Sequence, residues 1–492
     1  MGLYVIHLHL HGLLRGDELE LGRDADTGGQ TNYVLELARA LGQHSDVDRL
    51  EVITRCIEDR RVSADYAVHR ESLGEKASIL RLPFGPRRYI RKELLWPHLE
   101  ELVDALVLHI TRQQRRPDWI HAHYADAGWV GAQVQQRLGI PLVFTGHSLG
   151  REKQRRLLEV GQNPEQVNQR YAMEQRIAAE EAALSAASLV VTSTRQEIRV
   201  QYDRYSHFHP DLAEVIPPGV DVGFFQPEQH PGEDAEISAL LQPFLREPDR
   251  PCLLAINRPD RRKNIPALID AFGNSPYLRE NANLVLVLGN RDGFHQLERS
   301  QREEWQHVLE AIDRQNLYGQ VAYPKHHCRS QVPAIYRWAA ARRGVFVNPA
   351  LTEPFGLTLI EAAACGLPVV ATNDGGPIDI IGRCGNGLLV DVSSKEALRS
   401  TLERAMQPEA CWQQWSQQGL EAVQQAYSWS AHASRYLQVA RPLCAAALLE
   451  SINLKPHSRR RRISAPARFS QVRATGEGYA HAAQGPRFWL SK

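Results

Sequence analysis

Two successive series of short apolar runs, each run followed by a longer stretch of helical pattern, dominate this sequence. The first series comprises LYVIHLHLH, RLEVIT, ASILRL, WIHAHY, PLVFTGHS, LVVTS and EVIPPG, and the second comprises CLLAIN, NLVLVLG, QVAYP, GVFVNP, PVVAT and GLLV. The helical patterns between them include TNYVLELARALGQH, residues 171–187 and TLIEAAACG. Strands that alternate with helices build parallel sheets covered on both faces. Because the alternation occurs twice, the sequence predicts an α/β protein with two Rossmann-like domains.

The segment that joins the two series predicts the domain boundary. It contains PPGVDVGFFQPEQHPGED, which is rich in proline, glycine and acidic residues. We therefore predict an N-terminal domain over residues 1–216 and a second domain over 217–429, since 492 residues are too many for one ordinary core. An amphipathic run follows at 430–455. The basic tail at 456–492 is interpreted as a flexible solvated end, with an Arg-rich contact to an acidic partner as the alternative.

Charge and cysteine usage exclude several classes of protein. The net charge is +1, so no overall field favours nucleic acid or an anionic membrane. No apolar run is long enough to span a bilayer, and MGLYVIHLHLHG lacks the basic region of a signal peptide. The seven cysteines are dispersed without a Cys-x-x-Cys pair, which fits a reducing compartment. The sequence therefore predicts a cytoplasmic protein that acts on small molecules.

Ligands of open α/β sheets bind in the crevice at the carboxyl ends of the strands, so the loops after the strands are the places to search. The first such loop is RDADTGGQTNY, in which Gly28 and Gly29 lead directly into a helical pattern. Two glycines permit unusual backbone angles and the close approach of a ligand to main-chain N–H groups. The loop matches neither the dinucleotide fingerprint nor a Walker loop. A plain turn is the alternative.

A second loop, TGHSLGREK, places His147 at the end of a predicted strand, with Ser148 and Lys153 close behind it. A histidine there could face the cleft, or it could be a hydrogen-bonded structural group. Farther along, RYAMEQRIAAEE sets Arg176 four residues before Glu180 on one helix face. An ordinary surface ion pair is the local interpretation of these two residues.

Two loops of the second series carry charges suited to a nucleotide sugar. In NRPDRRKNI, Arg258 and Lys263 flank a turn between a strand and a helix, which suits a diphosphate, with a solvated basic turn as the alternative. In NPALTEPFGLTLIEAAACG, Glu353 precedes a helix that Pro354 is expected to start, and Glu361 lies farther inside it. The main-chain N–H groups of Phe355, Gly356, Leu357 and Thr358 would face an anion. Either glutamate could accept hydrogen bonds from a vicinal diol, or merely face solvent.

Taken together, these motifs resemble those of a known family. The chain is similar over roughly residues 2–440 to the retaining GT-B glycosyltransferases, and within them to the sucrose-phosphate synthases. The matching segments are LHGLLRGDELELGRDADTGGQTNYVLELARAL, PFGPRRYIRKELLWPHL, IHAHYADAG, TGHSLGREK, VIPPGVD, NRPDRRKNI, LGNRD, YPKHH and EPFGLTLIEAAACGLPVVATNDGGPIDI. The resemblance implies a GT-B fold, with two Rossmann-like domains that face a central cleft. It also implies that the run at 430–455 crosses back to the first domain. It also implies transfer of glucose from UDP-glucose or ADP-glucose to fructose 6-phosphate with retention of configuration, which gives sucrose 6-phosphate.

The resemblance further implies a role for each candidate residue. Arg258 and Lys263 would bind the donor diphosphate, Glu353 the glucose hydroxyls and Glu361 the ribose. His147 would contact the donor glucose, with Gly28 and Gly29 against the reacting centre. The acceptor side would consist of Gln30, Lys92, Tyr124, Ser148, Lys153 and Arg176. Because Arg176 and Lys153 would hold the 6-phosphate, the resemblance weighs against the surface ion pair.

The same resemblance indicates which cofactor, partner and alternative activity to expect. No acidic cluster of the Asp-x-Asp kind lies at the other strand ends, so no cofactor or metal is required for the chemistry, and a stimulating effect of Mg²⁺ is left open. A separate sucrose-phosphate phosphatase is the expected partner. The alternative activity is that of sucrose synthase, which acts on free fructose. Cations at Lys153 and Arg176 favour the phosphorylated acceptor.

Overall fold

The computed structural model describes residues 2–20, 23–24, 26–407 and 409–444 of the chain. Its strands are β1 Leu3–Leu8, β2 Val47–Arg55, β3 Arg70–Ser72, β4 Ala77–Leu82, β5 Trp119–His123, β6 Leu142–Thr145, β7 Ala187–Thr192, β8 Ala213–Val215, β9 Cys252–Ile256, β10 Asn283–Val287, β11 Val321–Ala322, β12 Val345–Asn348, β13 Val369–Thr372 and β14 Gly387–Val390. Its α-helices are α1 Gly29–Gln43, α2 Leu99–Thr111, α3 Tyr124–Leu138, α4 Gly150–Glu159, α5 Pro164–Tyr171, α6 Met173–Ala186, α7 Arg195–Val200, α8 Glu233–Leu241, α9 Ile265–Gly273, α10 Pro276–Asn281, α11 Arg299–Arg314, α12 Gln331–Ala341, α13 Leu357–Ala364, α14 Gly376–Cys384, α15 Lys395–Met406, α16 Glu409–Ala422 and α17 Trp429–Ala440.

The strands form two sheets, each the centre of one lobe. The first lobe is built on an eight-stranded sheet in the order β3-β4-β2-β1-β5-β6-β7-β8, and the second on a six-stranded sheet in the order β11-β10-β9-β12-β13-β14. All strand pairs are parallel except β3 with β4. The predicted α/β class with two parallel sheets is confirmed. Strand β3 was missed because it is a short polar edge strand, RES, with no apolar run.

Both faces of each sheet are covered by apolar side chains. In β1, Val5 packs into one core of the first lobe and its neighbour Ile6 into another. In β10, Leu284 and Val285 enter two different cores of the second lobe in the same way. Successive side chains of a strand point to opposite faces, so a strand covered on both sides is apolar without interruption. This explains why the buried strands were recognisable from sequence.

Helix α17 follows the six-stranded sheet in the chain, yet it packs against α1 of the first lobe. The Tyr33 hydroxyl lies 3.1 Å from His432 Nε2, and Trp119 Nε1 donates to the Tyr436 hydroxyl at 2.7 Å. Part of the segment expected to cross back, from residue 445 onward, and the whole tail 456–492 lie outside the described residues. The limits proposed for the two domains remain predictions.

Within residues 2–444, apart from the few positions that are not described, no helix combines the length and the apolar character that crossing a bilayer requires.

Candidate functional site between the two lobes

A cleft runs between the lobes at the carboxyl ends of their strands. From the first lobe it is lined by the loop after β6, by α4 and by the segment after β7; the loop at Thr352, Pro354 and Phe355 lines it from the second. The lobes are joined beside it by two hydrogen bonds. Gln196 Nε2 donates to Asp374 Oδ1 at 2.8 Å, and the Arg195 amide donates to Asp379 Oδ2 at 3.1 Å. Parallel sheets that face each other therefore produce the expected crevice.

His147 stands at the cleft in a conformation that L-residues seldom adopt. Its φ is +55°, and its ring lies 5.0 Å from the Tyr33 ring, centroid to centroid. Its Nε2 is 3.0 Å from Nδ1 of the buried His123. Positive φ in a non-glycine residue persists where surrounding contacts hold it, and such residues concentrate at ligand sites. His147 is thus both a hydrogen-bonded group and a lining residue of the cleft, which the sequence had offered as alternatives.

Beside the cleft, a small cavity of the first lobe collects four of the predicted acceptor residues. Lys92, Tyr124, Lys153 and Arg176 line it, together with Glu93, Trp96, Asp126 and Tyr171. Lys153 lines this cavity and the cleft, and Ser148 lines the cleft. Residues from four separate segments of the sequence therefore converge here. The lining contains three cations against the two carboxylates of Glu93 and Asp126, so its excess positive charge suits an anion.

Arg176 is held rigidly in the wall of this cavity. It is 3% exposed, its Nε donates to Glu180 Oε1 at 3.0 Å, and its Nη2 donates to the Ser148 carbonyl at 2.5 Å. The guanidinium also lies 4.6 Å from the centroid of the Tyr124 ring. Arg176 and Glu180 do form the i,i+4 pair, but both are buried, so the surface ion pair suggested by local spacing is wrong.

Lys92 is oriented by the glycine loop, which is distant in the sequence. Asp26 accepts a hydrogen bond from the Lys92 amide at 2.9 Å and an ion-pair contact from its ammonium. Although burial opposes it, the nearby Asp26 carboxylate raises the pKa of Lys92. Gln30, at the start of α1, instead contacts His9 Nδ1 at 3.1 Å and the His123 carbonyl at 3.4 Å. Of the two lysines that line the cavity, Lys92 is thus neutralised by the Asp26 carboxylate, whereas Lys153 has different surroundings.

Lys153 has no ion-pair partner among the described residues. Its ammonium lies 3.9 Å from the centroid of the Tyr171 ring. Burial, together with the nearby Arg176 and Lys92, lowers the pKa of Lys153 to about 7. Lys153 is half-buried, and an ammonium there beside two other cations is unfavourable unless an anion joins them. The cavity is therefore electrostatically prepared for an anionic ligand.

The first prediction concerns stability without ligand. Replacing Lys153 with methionine should raise the melting temperature by about 2 to 4 °C at pH 6, because the half-buried charge and its repulsion by the nearby cations disappear. The pKa of Lys153 is lower in the folded than in the unfolded chain. Below pH 7 both states hold the proton and the whole penalty is present; between pH 7 and about 10.5 the unfolded chain binds more protons, so wild-type stability rises with pH. The advantage of the variant should therefore shrink toward pH 10.

Calorimetry or dye-monitored melting across this pH range measures the effect. Lys395→Met is the matched control, because the Lys395 side chain is 80% exposed and should change the melting temperature little at any pH. A Lys153→Met variant less stable than wild type at pH 6 would contradict the electrostatic account.

On the second lobe, Lys263 and Glu353 contact each other directly. The Lys263 ammonium donates to Glu353 Oε2 at 2.6 Å, and Asn348 Nδ2 donates to the same oxygen at 3.1 Å. Arg258 is exposed in the loop that follows β9. The turn Arg261–Lys263 and the left-handed Asn264 (φ +56°) separate that loop from α9. The predicted strand–turn–helix setting of the two cations is present, and the carboxylate beside them follows β12.

The backbone at Glu353 is fixed by close packing against two glycines. The Gly376 amide donates to the Glu353 carbonyl at 2.9 Å, and the Glu353 amide donates to the Asp374 carbonyl at 3.1 Å. A side chain at Gly375, where φ is +109°, would place Cβ 1.9 Å from the Glu353 carbonyl oxygen. The NDGG sequence is therefore required by the approach of the two segments. Its physical effect is to hold the Glu353 carboxylate in place.

The second prediction tests this close approach. Gly375→Ala should lower the stability of the second lobe by about 2 kcal/mol or more, through overlap with Glu353 and a strained positive φ. Gly382→Ala is the matched control in the adjacent helix, because a Cβ there would meet nothing within 4 Å. That control should leave stability unchanged or raise it by about 0.5–1 kcal/mol. Melting curves for Gly375→Ala and Gly382→Ala measure this difference in stability. Equal stability of the two variants would show that the 353–355 segment moves freely.

Helix α13 begins at Leu357, later than the start expected at Pro354. Gly356 is its N-cap at φ +104°, and Phe355 before it is 4% exposed. The first N–H groups, at Leu357 and Thr358, belong to the helix N-terminus, where they lack intrahelical acceptors. The cap position has a left-handed backbone conformation, which residues with a β-carbon disfavour. Gly356 therefore takes this position, and the helix does not start at Pro354. The expected N–H groups are nevertheless presented close to Glu353.

Glu361 lies within α13 beside an aromatic hydroxyl. Burial raises the pKa of Glu361 to about 7, although the Tyr336 hydroxyl 3.4 Å from Oε2 and the charge of Arg329 oppose the shift. A carboxyl group with a pKa so close to neutrality holds its negative charge only partly at pH 7. Hydroxyl donors from a ligand would favour the charged form.

The glycine loop departs from one expectation. Gly28 is the N-cap of α1 with φ −138° and ψ −153°, which are ordinary extended angles, and Gly29 is the first residue of the helix. Gly28 therefore does not use the unusual backbone angles that glycine permits. A Cβ at Gly28 would meet nothing within 4 Å. Packing within the protein thus gives no reason for glycine here, and open space in front of a helix N-terminus suits the approach of a ligand.

Several lining residues of the cleft were missed from the sequence. They follow β7 or lie on α4, and they are Glu152, Arg156, Ser193, Thr194, Gln196, Glu197, Val200 and Gln201. The strand LVVTS had been recognised, so the same rule about loops after strands could have led to STRQE. Its polar residues lacked a distinctive spacing, and only the packing of α7 against α14 brings them to the cleft.

Comparisons with known proteins agree with this architecture. The description "Glycosyltransferase Family 4" matches residues 27–224, and "Glycosyl transferases group 1" matches residues 238–421. A sucrose-phosphate synthase from Thermosynechococcus elongatus superposes with a TM-score of 0.64 at 28% identity, covering 90% of this chain and 100% of that one. The chain has the GT-B fold of the glycosyltransferases. HepE from Anabaena, solved with UDP and glucose, has the same fold at a TM-score of 0.58 and 16% identity, over 89% of this chain and 99% of its own.

Relatives in sequence make the resemblance more specific. Sucrose-phosphate synthase 4 of Arabidopsis thaliana is 42% identical over 88% of this GT-B chain, and the probable sucrose-phosphate synthase 2 of Craterostigma plantagineum is 41% identical over the same share. These matches confirm the resemblance to sucrose-phosphate synthases found in the sequence. The chain covers 47% of the length of both, so it spans about half of the curated relatives it matches.

Proposed function

We propose that this GT-B protein transfers glucose from a nucleotide diphosphate glucose to fructose 6-phosphate and forms sucrose 6-phosphate with retention at the anomeric carbon. The observation that carries the proposal is the cavity at the cleft that brings together Lys92, Lys153 and Arg176. Three cations in a confined, partly apolar space match a phosphate monoester better than a neutral sugar. The kinship with sucrose-phosphate synthases supports the same activity.

The donor is assigned to the second lobe. Arg258 and Lys263 would bind the diphosphate, assisted by the N–H groups at the start of α13, and Glu353 would accept hydrogen bonds from glucose hydroxyls. In the structure Lys263 already contacts Glu353 at 2.6 Å, so one ammonium could join both parts of the donor. Glu361 would hold the ribose. UDP-glucose is the proposed donor and ADP-glucose the alternative; neither requires a metal in this scheme, and Mg²⁺ could add stimulation.

The reaction is governed by where charge develops. As the bond between C1 and the leaving oxygen breaks, positive charge grows on the sugar and negative charge on the diphosphate. Fixed cations and helix N–H groups stabilise the diphosphate without reorganising. His147 at the cleft would contact the sugar near the reacting centre, with Gly28 and Gly29 allowing close approach. We propose that the acceptor attacks on the face from which the diphosphate departs, and that the leaving phosphate takes the acceptor proton.

Free fructose is the acceptor in the alternative function, sucrose synthase. The two activities differ in one group, the 6-phosphate, which Lys153 and Arg176 would recognise. Free fructose carries no phosphate to offset the nearby positive charges. Lys153, whose pKa these charges and burial lower, would then stay in unfavourable surroundings. The electrostatics of the cavity therefore favour the phosphorylated acceptor.

A direct assay distinguishes the two functions. The full chain is incubated with UDP-glucose and either fructose 6-phosphate or fructose, nucleotide release is measured, and the product is analysed by NMR for its anomeric configuration. We expect kcat/KM for fructose 6-phosphate to exceed that for fructose by at least about 100-fold, the value of a buried charge-assisted interaction. Equal or higher efficiency with fructose would establish the alternative, and absence of transfer to either sugar would overturn both.

The cellular setting follows from this activity as part of the proposal. All seven cysteines are described and free, which supports a reducing cytoplasmic compartment. A separate phosphatase that hydrolyses sucrose 6-phosphate is the proposed partner, since it would remove the product and draw the transfer forward.

A further inference from the structure

Three buried histidines meet behind the cleft on two neighbouring strands. His7 lies on β1, and His121 and His123 lie on β5; all three are 0% exposed. The register of the two strands places His7 directly beside His121. Because strand side chains alternate between faces, His123 projects from the same face as His121. The alternating HLHLH and HAH sequences thus build a compact group of imidazoles within the sheet.

The spacing of these rings resembles that of ligands around one ion. A ring nitrogen from each histidine lies within 4.8 Å of one from each of the others. His7 Nδ1 and His123 Nε2 are 3.4 Å apart, which is long for a hydrogen bond between nitrogens. Two ligands on a tetrahedral ion with bonds of about 2.1 Å are separated by roughly 3.4 Å, with ring centroids roughly 5 Å apart. The centroid of His7 lies 5.0 Å from His121 and 5.2 Å from His123. His121 and His123 are closer, at 4.0 Å, and would need to separate slightly.

Unsatisfied nitrogens point to the same conclusion independently. His121 Nδ1 and His7 Nε2 are buried, and neither has a hydrogen-bond partner among the described residues. A buried polar atom without a partner costs about 1–3 kcal/mol, so its presence calls for an explanation. A metal ion that binds Nδ1 of His121 would satisfy one of these two atoms directly.

The remaining ring nitrogens are already oriented as metal-bound histidines require. His121 Nε2 lies 2.9 Å from the Thr145 hydroxyl, and His123 Nδ1 lies 3.0 Å from His147 Nε2. Such outer contacts fix the ring and its tautomer in metal sites. Imidazole binds metals in its neutral form, which full burial of the three rings favours.

We propose that His7, His121 and His123 together bind one divalent transition-metal ion of the Zn²⁺ or Co²⁺ class. Three imidazole nitrogens favour these ions over Mg²⁺ or Ca²⁺, which prefer oxygen ligands. The ion would join β1 to β5 and stabilise the first lobe. By occupying Nε2 of His123 it would leave Nδ1 as a donor toward His147, and so define the tautomer of that cleft residue. The site does not depend on the proposed transfer reaction.

Metal binding to the wild-type chain gives the primary test. The untagged full chain is stripped with a chelator, titrated with Co²⁺ and followed by visible absorption, and the Zn²⁺ form is then examined by X-ray absorption. We expect one tight equivalent of Co²⁺, displaced by Zn²⁺, with about three imidazole nitrogens near 2.0–2.1 Å in the Zn²⁺ spectrum. Failure to bind one equivalent overturns the proposal. So does a shell of sulfur near 2.3 Å, which would identify cysteines as the ligands.

Variants then locate the ion. His121→Gln and His7→Gln should each lose the tight equivalent, and the thermal stabilisation by Zn²⁺ should disappear with it. His9→Gln is the matched control, because His9 is also buried and lies just after β1, but does not belong to the group of three. Full binding retained in His121→Gln would refute this location. The wild-type spectrum remains decisive if a variant fails to fold.

Discussion

The Glu353→Gln variant is expected to lose turnover by about 100-fold or more while the chain stays folded. A carboxylate forms charge-assisted hydrogen bonds to sugar hydroxyls that are about twice as strong as neutral ones. An amide keeps the shape but loses the charge, and interactions that strengthen as the transition state develops are typically worth 10²- to 10³-fold when one is removed. Lys263, which donates to Glu353 at 2.6 Å, would also lose its counter-charge beside the diphosphate.

Steady-state kinetics with both substrates measures this loss, and melting curves check the fold. The Lys263 and Glu353 side chains are 29% and 12% exposed, and ion pairs near the surface contribute about 1 kcal/mol or less, so the melting temperature should change little. Glu396→Gln serves as the control, because Glu396 lies on the distant helix α15 with a 73% exposed side chain. Near-normal turnover in folded Glu353→Gln protein would remove Glu353 from the donor site.

Lys153→Ala is expected to raise the KM for fructose 6-phosphate by on the order of 10- to 100-fold, with a much smaller change in the KM for the donor. A hydrogen bond to a charged group contributes about 1.5–3 kcal/mol, and a phosphate would take three cations at this cavity. Lys153 is a better test than Arg176, because removing Arg176 would leave the buried Glu180 without its partner. Lys153 has no such carboxylate partner within the described part of the chain.

Free fructose separates a phosphate contact from general damage. If Lys153 binds the 6-phosphate, Lys153→Ala should lower kcat/KM for fructose 6-phosphate and leave the slow reaction with fructose nearly unchanged. Lys395→Ala, at an exposed lysine of the second lobe, controls for loss of charge. Equal losses with both acceptors would mean that Lys153 supports the fold or the donor instead.

The same lysine should produce a pH dependence in the wild type. Its pKa of about 7 in the free protein means that the ammonium is progressively lost above pH 7. The KM for fructose 6-phosphate should therefore rise with pH above about 7, and this rise should be absent in Lys153→Ala. Together with the expected gain in stability of Lys153→Met, this describes a trade-off in which a destabilising charge is kept for ligand binding.

The sequence predicted more of the fold than of the candidate site. Strands buried on both faces are continuous apolar runs, so the sequence alone located every strand of the described residues except the short polar β3 and predicted two parallel sheets. The family was recognised in another way, from the resemblance of the loop motifs to those of known proteins. The exact start of α13 was less accessible, since the glycine cap at Gly356 outweighs the preference of Pro354 for a first turn.

Only the tertiary structure decided which distant charges meet. Local spacing made Arg176 and Glu180 a surface pair, and burial overruled it, because α6 packs against α3 and α4. The partners of Lys92 and Glu353 come from other loops, and the register of β1 with β5 sets His7 beside His121. Periodicity along a chain reports which face of an element is apolar. It carries no information on which faces of separate elements will adjoin, and the electrostatics of the cleft depend on that contact.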